Sequence, residues 1–232
     1  APLPVVYSSV LYVFRALVGT NIPLNQGCMK PLNIIAPPGT IINAQYPAAV
    51  ISGNTEIGQS ATDCLIGALN IMAGSQGTMN NFIWGNERIQ NYETICGGSG
   101  AGPDFPGTDA VQIHMTNTRM TDPEVLEQRF PVRVEEFAIK PGTGGRGQYP
   151  GGNGITRRVR FFEDLTVTLL TGHRITQAYG AAGGEPGACG HNAVEQLDGT
   201  IKELAPNDQY ELKAGEAMLM QTPGGGGWGK PE

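Results

Sequence analysis

The sequence predicts an α+β protein, with helices and glycine-rich loops in its N-terminal half and mostly antiparallel β-structure in its C-terminal half. Three observations lead there. Two apolar stretches suited to helices lie before residue 73, and six runs suited to extended strands follow residue 131. Glycine and proline are in excess, with 34 Gly and 17 Pro among 232 residues and no collagen-like period. Hydrophobic residues make 40% of the chain, enough for a core, and the length suits one large domain or two small ones. A soft boundary near residue 131 divides the chain into 1–131 and 132–232.

In chain order, residues 4–19 are apolar almost all round, too short for a membrane span and interrupted by Arg15, so they read as a buried helix. Residues 31–38 read as a short strand ending at Pro38-Gly39. Asn54 then suits the cap of a helix whose apolar positions Ile57, Ala61, Leu65, Ala68 and Met72 follow helical spacing, with Glu56 complementing the dipole. Cys64 reads as a small core residue of that helix. Residues 74–110 are rich in Gly, Asn and Ser and predict loops with short strands. Asp122-Pro123 opens a further short helix. Strands are expected at 132–140, 155–162, 165–171, 193–197, 200–204 and 216–221. Hairpin turns are expected at Glu163-Asp164 and at Asp198-Gly199, the second of type I′.

Composition narrows the function. Net charge is −6 with 16% charged residues, below the roughly one quarter that is typical. No Lys/Arg block stands out, so nucleic acid is not an expected partner. Cys28, Cys64, Cys96 and Cys189 are far apart with no C-x-x-C pair, which fits a reducing, cytoplasmic setting. No phosphate-binding loop, G-x-S-x-G elbow or H-E-x-x-H is present. His114, His173 and His191 have no second ligand at metal-site spacing, so no metal site is expected within this chain. His173-Arg174 reads as a surface or interface pair.

Five amide- and glycine-rich clusters remain, at 25–28, 53–55, 76–81, 97–103 and 114–119. Side-chain amides and free N–H groups can wall a cavity for a small polar ring without adding charge. The alternative is that Asn, Ser and Thr tie down long loops. The stretch 142–154 could be an anion-holding nest with Arg146 as its charge, or a mobile hairpin. His114 suits an acid or base near neutral pH, or a structural role.

LNQGC at 24–28, SGNTEIGQ at 52–59, SQGTMNN at 75–81, YETICGGSGAGP at 92–103, HMTNTRMTDPEVLE at 114–127, GTGGRGQYPGGNG at 142–154, GGEPGA at 183–188 and TPGGGGWG at 222–229 resemble, in order, the C-terminal part of the hydantoinase B family. The similarity is greatest to its ATP-dependent 5-oxoprolinases. The resemblance implies a cyclic-amide hydrolase that opens 5-oxo-L-proline to L-glutamate with ATP cleaved to ADP and phosphate. It implies ATP and Mg on a hydantoinase A-like part, and a metal on the N-terminal half of the B-like part. Both would be partners of this chain in an expected homo-oligomer, with no membrane contact. Hydantoinase, caprolactamase and ketone carboxylase subunits are alternatives, as is a non-catalytic docking module. The chain opens on Ala-Pro without Met and at once in core-like sequence, so residue 1 reads as a cut and the chain as a fragment of a larger enzyme. His114, Asn117 and Arg119 are the expected catalytic residues. Asn25, Gln26, Asn80, Asn81, Gly98 and Arg146 are the expected substrate-binding residues.

Overall fold

A computed structural model describes residues 1–231. The first helix, α1 (Leu3–Val18), follows the apolar run and ends at Gly19, which takes a left-handed conformation. It is not buried all round. Val6, Ser9, Val10 and Val13 face inward, while Tyr7, Tyr12, Leu17 and Val18 are exposed. Residues 31–38 form no strand but an irregular loop. Asn54 is no cap; it lies within a π-helical turn, Gly53–Ile57, that leads into α2 (Gly58–Ala68).

The face that α2 buries differs from its apolar stripe. Gln59, Thr62, Asp63 and Ile66 point into the protein, whereas Ile57, Ala61 and Leu65 line an open groove and Cys64 is exposed. Periodicity located the helix, but hydrogen-bond partners elsewhere in the chain turned its polar side inward. Among the described residues no helix is long and apolar enough to cross a membrane.

α3 (Pro123–Arg129) starts as expected. The Asp122 carboxylate accepts from the N–H groups of Glu124 and Val125, with Pro123 in the first turn.

Among the described residues nine strands form two antiparallel sheets. β1 (Asn81–Gly85), β2 (Gln90–Thr94), β5 (Leu165–Leu170) and β8 (Asn207–Leu212) make one sheet in the order β2-β1-β5-β8. β3 (Val132–Ile139), β4 (Ile155–Phe161), β6 (His191–Glu195), β7 (Ile201–Glu203) and β9 (Ala217–Gln221) make the other in the order β3-β4-β9-β6-β7. The first sheet joins strands from both sides of residue 131. β8 was not foreseen, because NDQYEL alternates exposed and half-buried residues up to the buried Leu212 and carries few apolar residues. β4 and β5 are in different sheets, so Glu163-Asp164 carries the chain across the core and forms no hairpin. Asp198-Gly199 does turn β6 back on β7. The Gly199 N–H donates to Gln196 O and only Gly199 has positive φ, which is a type I turn closed by a left-handed glycine.

The inner faces meet in one core. Phe82, Trp84, Phe161, Val167, Met218 and Met220 are buried together, with Phe161 edge-on to both Phe82 and Trp84. One inward position of β4 holds Arg157, 1% exposed and bonded across the core to Glu93 of β2 at 3.0 Å. A buried pair of this kind links the sheets, and removing either partner would strand the other charge.

Beside the sheets lies a bundle of extended, glycine-rich backbone. Gly224–Gly227 runs through its centre. Their four N–H groups donate to Ala188, Gly152, Gly74 and Glu185 carbonyls in turn. A Cβ on Gly224, Gly225 or Gly226 would lie about 2 Å from the carbonyl oxygen of Thr143, Ser99 or Tyr179. Glycine is required there by contact, not by dihedral angle. Gly225→Ala should therefore destabilise the protein by roughly 3 kcal/mol or more. Gly142→Ala, at φ +78° with open space around it, should lose only about 1–2 kcal/mol. Urea unfolding of the two variants checks the contrast, which disappears if the bundle is loosely packed.

Candidate active site

The bundle carries the loops that hold the polar clusters. Gly74 N–H donates to Tyr179 O and Gly74 O accepts from Gly226, while Gln76 N–H donates to Gly98 O. These bonds suspend residues 75–81 above α2. Asp63 is the one charged residue of residues 57–73, and it ties two loops together. Its Oδ1 accepts from the Ser75 N–H at 3.2 Å and from His114 Nε2 at 3.0 Å. Gln59, one turn earlier, completes the clamp. Its amide donates to Ile113 O and Thr116 Oγ1 and accepts from Met115 N. The 75–81 and 114–119 segments therefore converge on α2. With Nε2 donating to Asp63, His114 Nδ1 carries the lone pair, a base whose orientation is set by a carboxylate. The Tyr12 ring stands edge-on at 5.9 Å. Tyr12 and Met115 border a cleft of about 450 Å³.

A second network continues from the first. Gly77 separates Asp63 from His173, since a Cβ there would lie 2.3 Å from His173 Nε2 and 3.5 Å from Asp63 Oδ2. Arg174 follows His173 and does not lie at the surface as a free pair. It donates to Asn80 Oδ1, Gly172 O and Asn192 Oδ1. Asn80 also donates to Gln76 Oε1 and Ile95 O. Asn81 bridges Leu170 O and the carboxyl of Glu56, and accepts from the Tyr92 hydroxyl. Glu56 Oε1 accepts in addition from Thr78 Oγ1 and Met79 N.

Burial raises the Glu56 carboxyl to about 7, despite the three donors and the nearby Arg174 charge that favour its ionised form. Burial also lowers Arg174 to about 9, opposed by Glu56 and Cys189. Asn80, His114 and His173 all take positive φ, at 45°, 43° and 47°. Left-handed non-glycine residues cost about 1–3 kcal/mol each and persist where surrounding bonds over-determine them, a pattern concentrated at functional sites.

Of the residues expected from sequence, His114, Asn80 and Asn81 meet in this cluster, and Gly98 supports it from the bundle. Asn117 and Arg119 are exposed on the same loop and make no side-chain hydrogen bond among the described residues. Asn25 accepts from Gly27 N to cap the short turn Gln26–Met29, and Gln26 is exposed beside it. Arg146 is at the surface, bound through two nitrogens to Glu185. Several N–H groups of 142–154 are taken within the protein, as in Gly145 to Gly225 O, Gly151 to Gly145 O, and Thr143 and Gly144 to Asn153 Oδ1. Sequence reasoning missed Glu56, Gln59, Asp63 and Arg174. A lone charge in a helix, four residues after a glutamine on the same face, was the available signal for Asp63 and Gln59. Among the described residues no three His, Cys, Asp or Glu side chains converge as metal ligands.

A family model described as Hydantoinase B/oxoprolinase matches residues 1–231. The chain is 42% identical over 232 residues to a 5-oxoprolinase of Dictyostelium discoideum, covering 100% of this chain and 18% of that protein. It is 42% identical over 229 residues to 5-oxoprolinase 1 of Arabidopsis thaliana, covering 99% of this chain and 18% of that one. The chain thus spans less than a fifth of these relatives. Among solved structures, the ATP-dependent caprolactamase of Pseudomonas jessenii superposes with TM-score 0.75 at 21% identity, over 96% of this chain and 43% of that one. A nucleotide-free acetone carboxylase superposes with TM-score 0.77 at 19% identity, over 95% and 36%. At such identities the likeness is one of fold.

The Glu56 carboxyl gives a pH test. Its folded value near 7 lies above the ordinary 4.5, so the stability of its protonated form is fully present below pH 4.5 and is lost as pH rises to 7. The difference corresponds to about 3 kcal/mol. Between pH 5 and pH 8 the protein should lose roughly that much more unfolding free energy than its Glu56→Gln variant. Parallel losses in urea titrations at the two pH values would contradict the perturbation.

Proposed function

Because the chain belongs to the hydantoinase B/oxoprolinase family, we propose that it is the C-terminal part of an ATP-dependent 5-oxoprolinase, which hydrolyses 5-oxo-L-proline to L-glutamate with cleavage of ATP to ADP and phosphate. The observation that carries this reading is the convergence of residues 75–81 and 114–119 on Asp63. Similarity to 5-oxoprolinases along this chain, which matches 18% of each of those proteins, supports the choice of substrate.

A lactam is a resonance-stabilised, poor electrophile, and a wall of neutral amides does not activate it. ATP supplies the activation in this class of reaction. The described residues fit neither a phosphate-binding loop nor a metal-ligand trio, so ATP, Mg and any further metal are assigned to a hydantoinase A-like part and to the N-terminal half of the B-like part. This chain contributes orientation and proton transfer. Asp63 holds His114 Nε2, leaving Nδ1 to accept a proton from water attacking the ring carbonyl carbon. Asn80 and Asn81 stiffen the facing loop. The complete enzyme is expected to be a cytoplasmic homo-oligomer.

The groove between α1, α2 and the 32–42 loop supports a docking role alongside catalysis. It is lined by Val6, Val10, Ile34, Ile41, Ile57 and Leu65, with a volume of about 690 Å³, an apolar surface of the kind that partner polypeptide covers.

In the complete enzyme, His114→Ala should lower kcat for ATP-coupled glutamate formation by about 100-fold or more, while the isolated 232-residue chain should show no turnover. Turnover by the isolated chain would refute the division of labour. Preference for hydantoin, caprolactam or acetone over 5-oxoproline would refute the substrate.

A further inference from the structure

We propose that Arg174 and Glu56 together bind the carboxylate group of a small organic acid, which on the reading above is the acid group of 5-oxo-L-proline. The proposal deepens that reading and starts from unmatched charge. Among the described residues Arg174 has no carboxylate within ion-pair distance. Its guanidinium bonds only neutral oxygens, those of Asn80, Asn192 and Gly172. Four of its five N–H groups are used in this way, leaving one on Nη2.

Glu56 and Arg174 adjoin the same residue, Gly172, whose carbonyl accepts from Arg174 Nη1. Glu56 Oε1 accepts from Thr78, Met79 and Asn81, so a proton on this carboxyl resides on Oε2. That oxygen has no hydrogen-bond partner among the described residues. It stands beside Gly172, where a Cβ would approach it to 3.4 Å; glycine leaves it uncovered. Glu56, Gly172, Arg174 and Cys189 are half-buried, while Thr78, Asn80, Asn81, Thr171 and Asn192 are fully buried, and Thr78, Asn80, Asn81 and Asn192 bond directly to Glu56 or Arg174. With Glu56 raised to about 7, the protonated form presents one O–H and one charged N–H with a net positive charge. A carboxylate accepts from both, whereas caprolactam and acetone are uncharged and have no acid group to place there. The other titratable groups around these two residues are Tyr92, which reaches Glu56 through Asn81, His173 with Asp63 behind it, and Cys189 beside Arg174.

Binding then requires the proton on Glu56. As pH rises through 7, the ionised carboxylate repels the ligand, and affinity falls by up to about tenfold per pH unit. The test is calorimetric titration of the full-length protein with 5-oxo-L-proline, and with 2-pyrrolidinone, the same ring lacking the acid group, between pH 6 and 8.5. Wild type should bind 5-oxo-L-proline with Kd rising above pH 7, and should bind 2-pyrrolidinone far more weakly at every pH. Glu56→Gln presents a permanent amide donor, so its Kd should stay low and flat with pH. Arg174→Gln should raise the Kd of 5-oxo-L-proline on the order of thirtyfold or more, with Arg174→Lys recovering part of the loss.

The subsite is overturned if Glu56→Gln keeps the wild-type pH dependence, or if both Arg174 variants keep wild-type affinity. Binding is read apart from turnover. A full-length protein that binds 5-oxo-L-proline through Arg174 but hydrolyses a different amide refutes the proposed reaction and leaves the subsite standing.

Discussion

The contact on which the rest of this structure depends is backbone against backbone in the glycine bundle. Gly224–Gly227 leaves the last strand and passes between the segments around residues 74, 99–101, 143–152 and 178–188, bonding to a different neighbour at each step. The segments lie so close that one added methyl group would overlap a carbonyl oxygen. Such packing satisfies backbone polar groups that loops would otherwise expose to water or bury unpaired. It also converts what reads as flexible sequence into a rigid frame. Residues 75–81, which carry the buried amides, hang from that frame and inherit its rigidity.

Rigidity explains how the polar cluster can hold arrangements that a looser scaffold would relax. Asn80, His114 and His173 occupy the left-handed region without being glycine. Glu56 and Arg174 lie close enough to influence each other yet bond to neutral partners instead. Each condition costs free energy, offset by burial in the two-sheet core and by the density of hydrogen bonds around the site. The Arg157–Glu93 pair differs from these. It sits wholly inside the core, away from any opening, and links the sheets. Burial alone does not separate structural from functional charges; accessibility of an unused donor or acceptor does.

Parts of this were legible in the sequence. The cap at Asp122-Pro123, the turn at Asp198-Gly199 and the strand-rich second half each depend on local chemistry that short windows contain. The clusters holding His114, Asn80 and Asn81 were legible as polar segments because their composition is unusual for a core. Other features were misread for one reason. The stripe of Ile57, Ala61 and Leu65 marked an inward face that proved to be the open one, and Glu163-Asp164 looked like a hairpin while crossing between sheets. His173-Arg174 looked like a surface or interface pair, whereas Arg174 bonds inward to Asn80 and Asn192. In each case the deciding partner lies more than a dozen residues away.

By itself the sequence determined the α+β class, most of the strands, the third helix and the family resemblance, because propensity, capping and turn chemistry act over a few residues. Tertiary structure alone decided which side of the second helix is buried, which strands share a sheet, and that Glu56, Asp63 and Arg174 stand around the same loops as His114. Those outcomes are set by long-range packing and by where buried hydrogen bonds find partners, and no local pattern encodes the distance between two side chains a hundred residues apart.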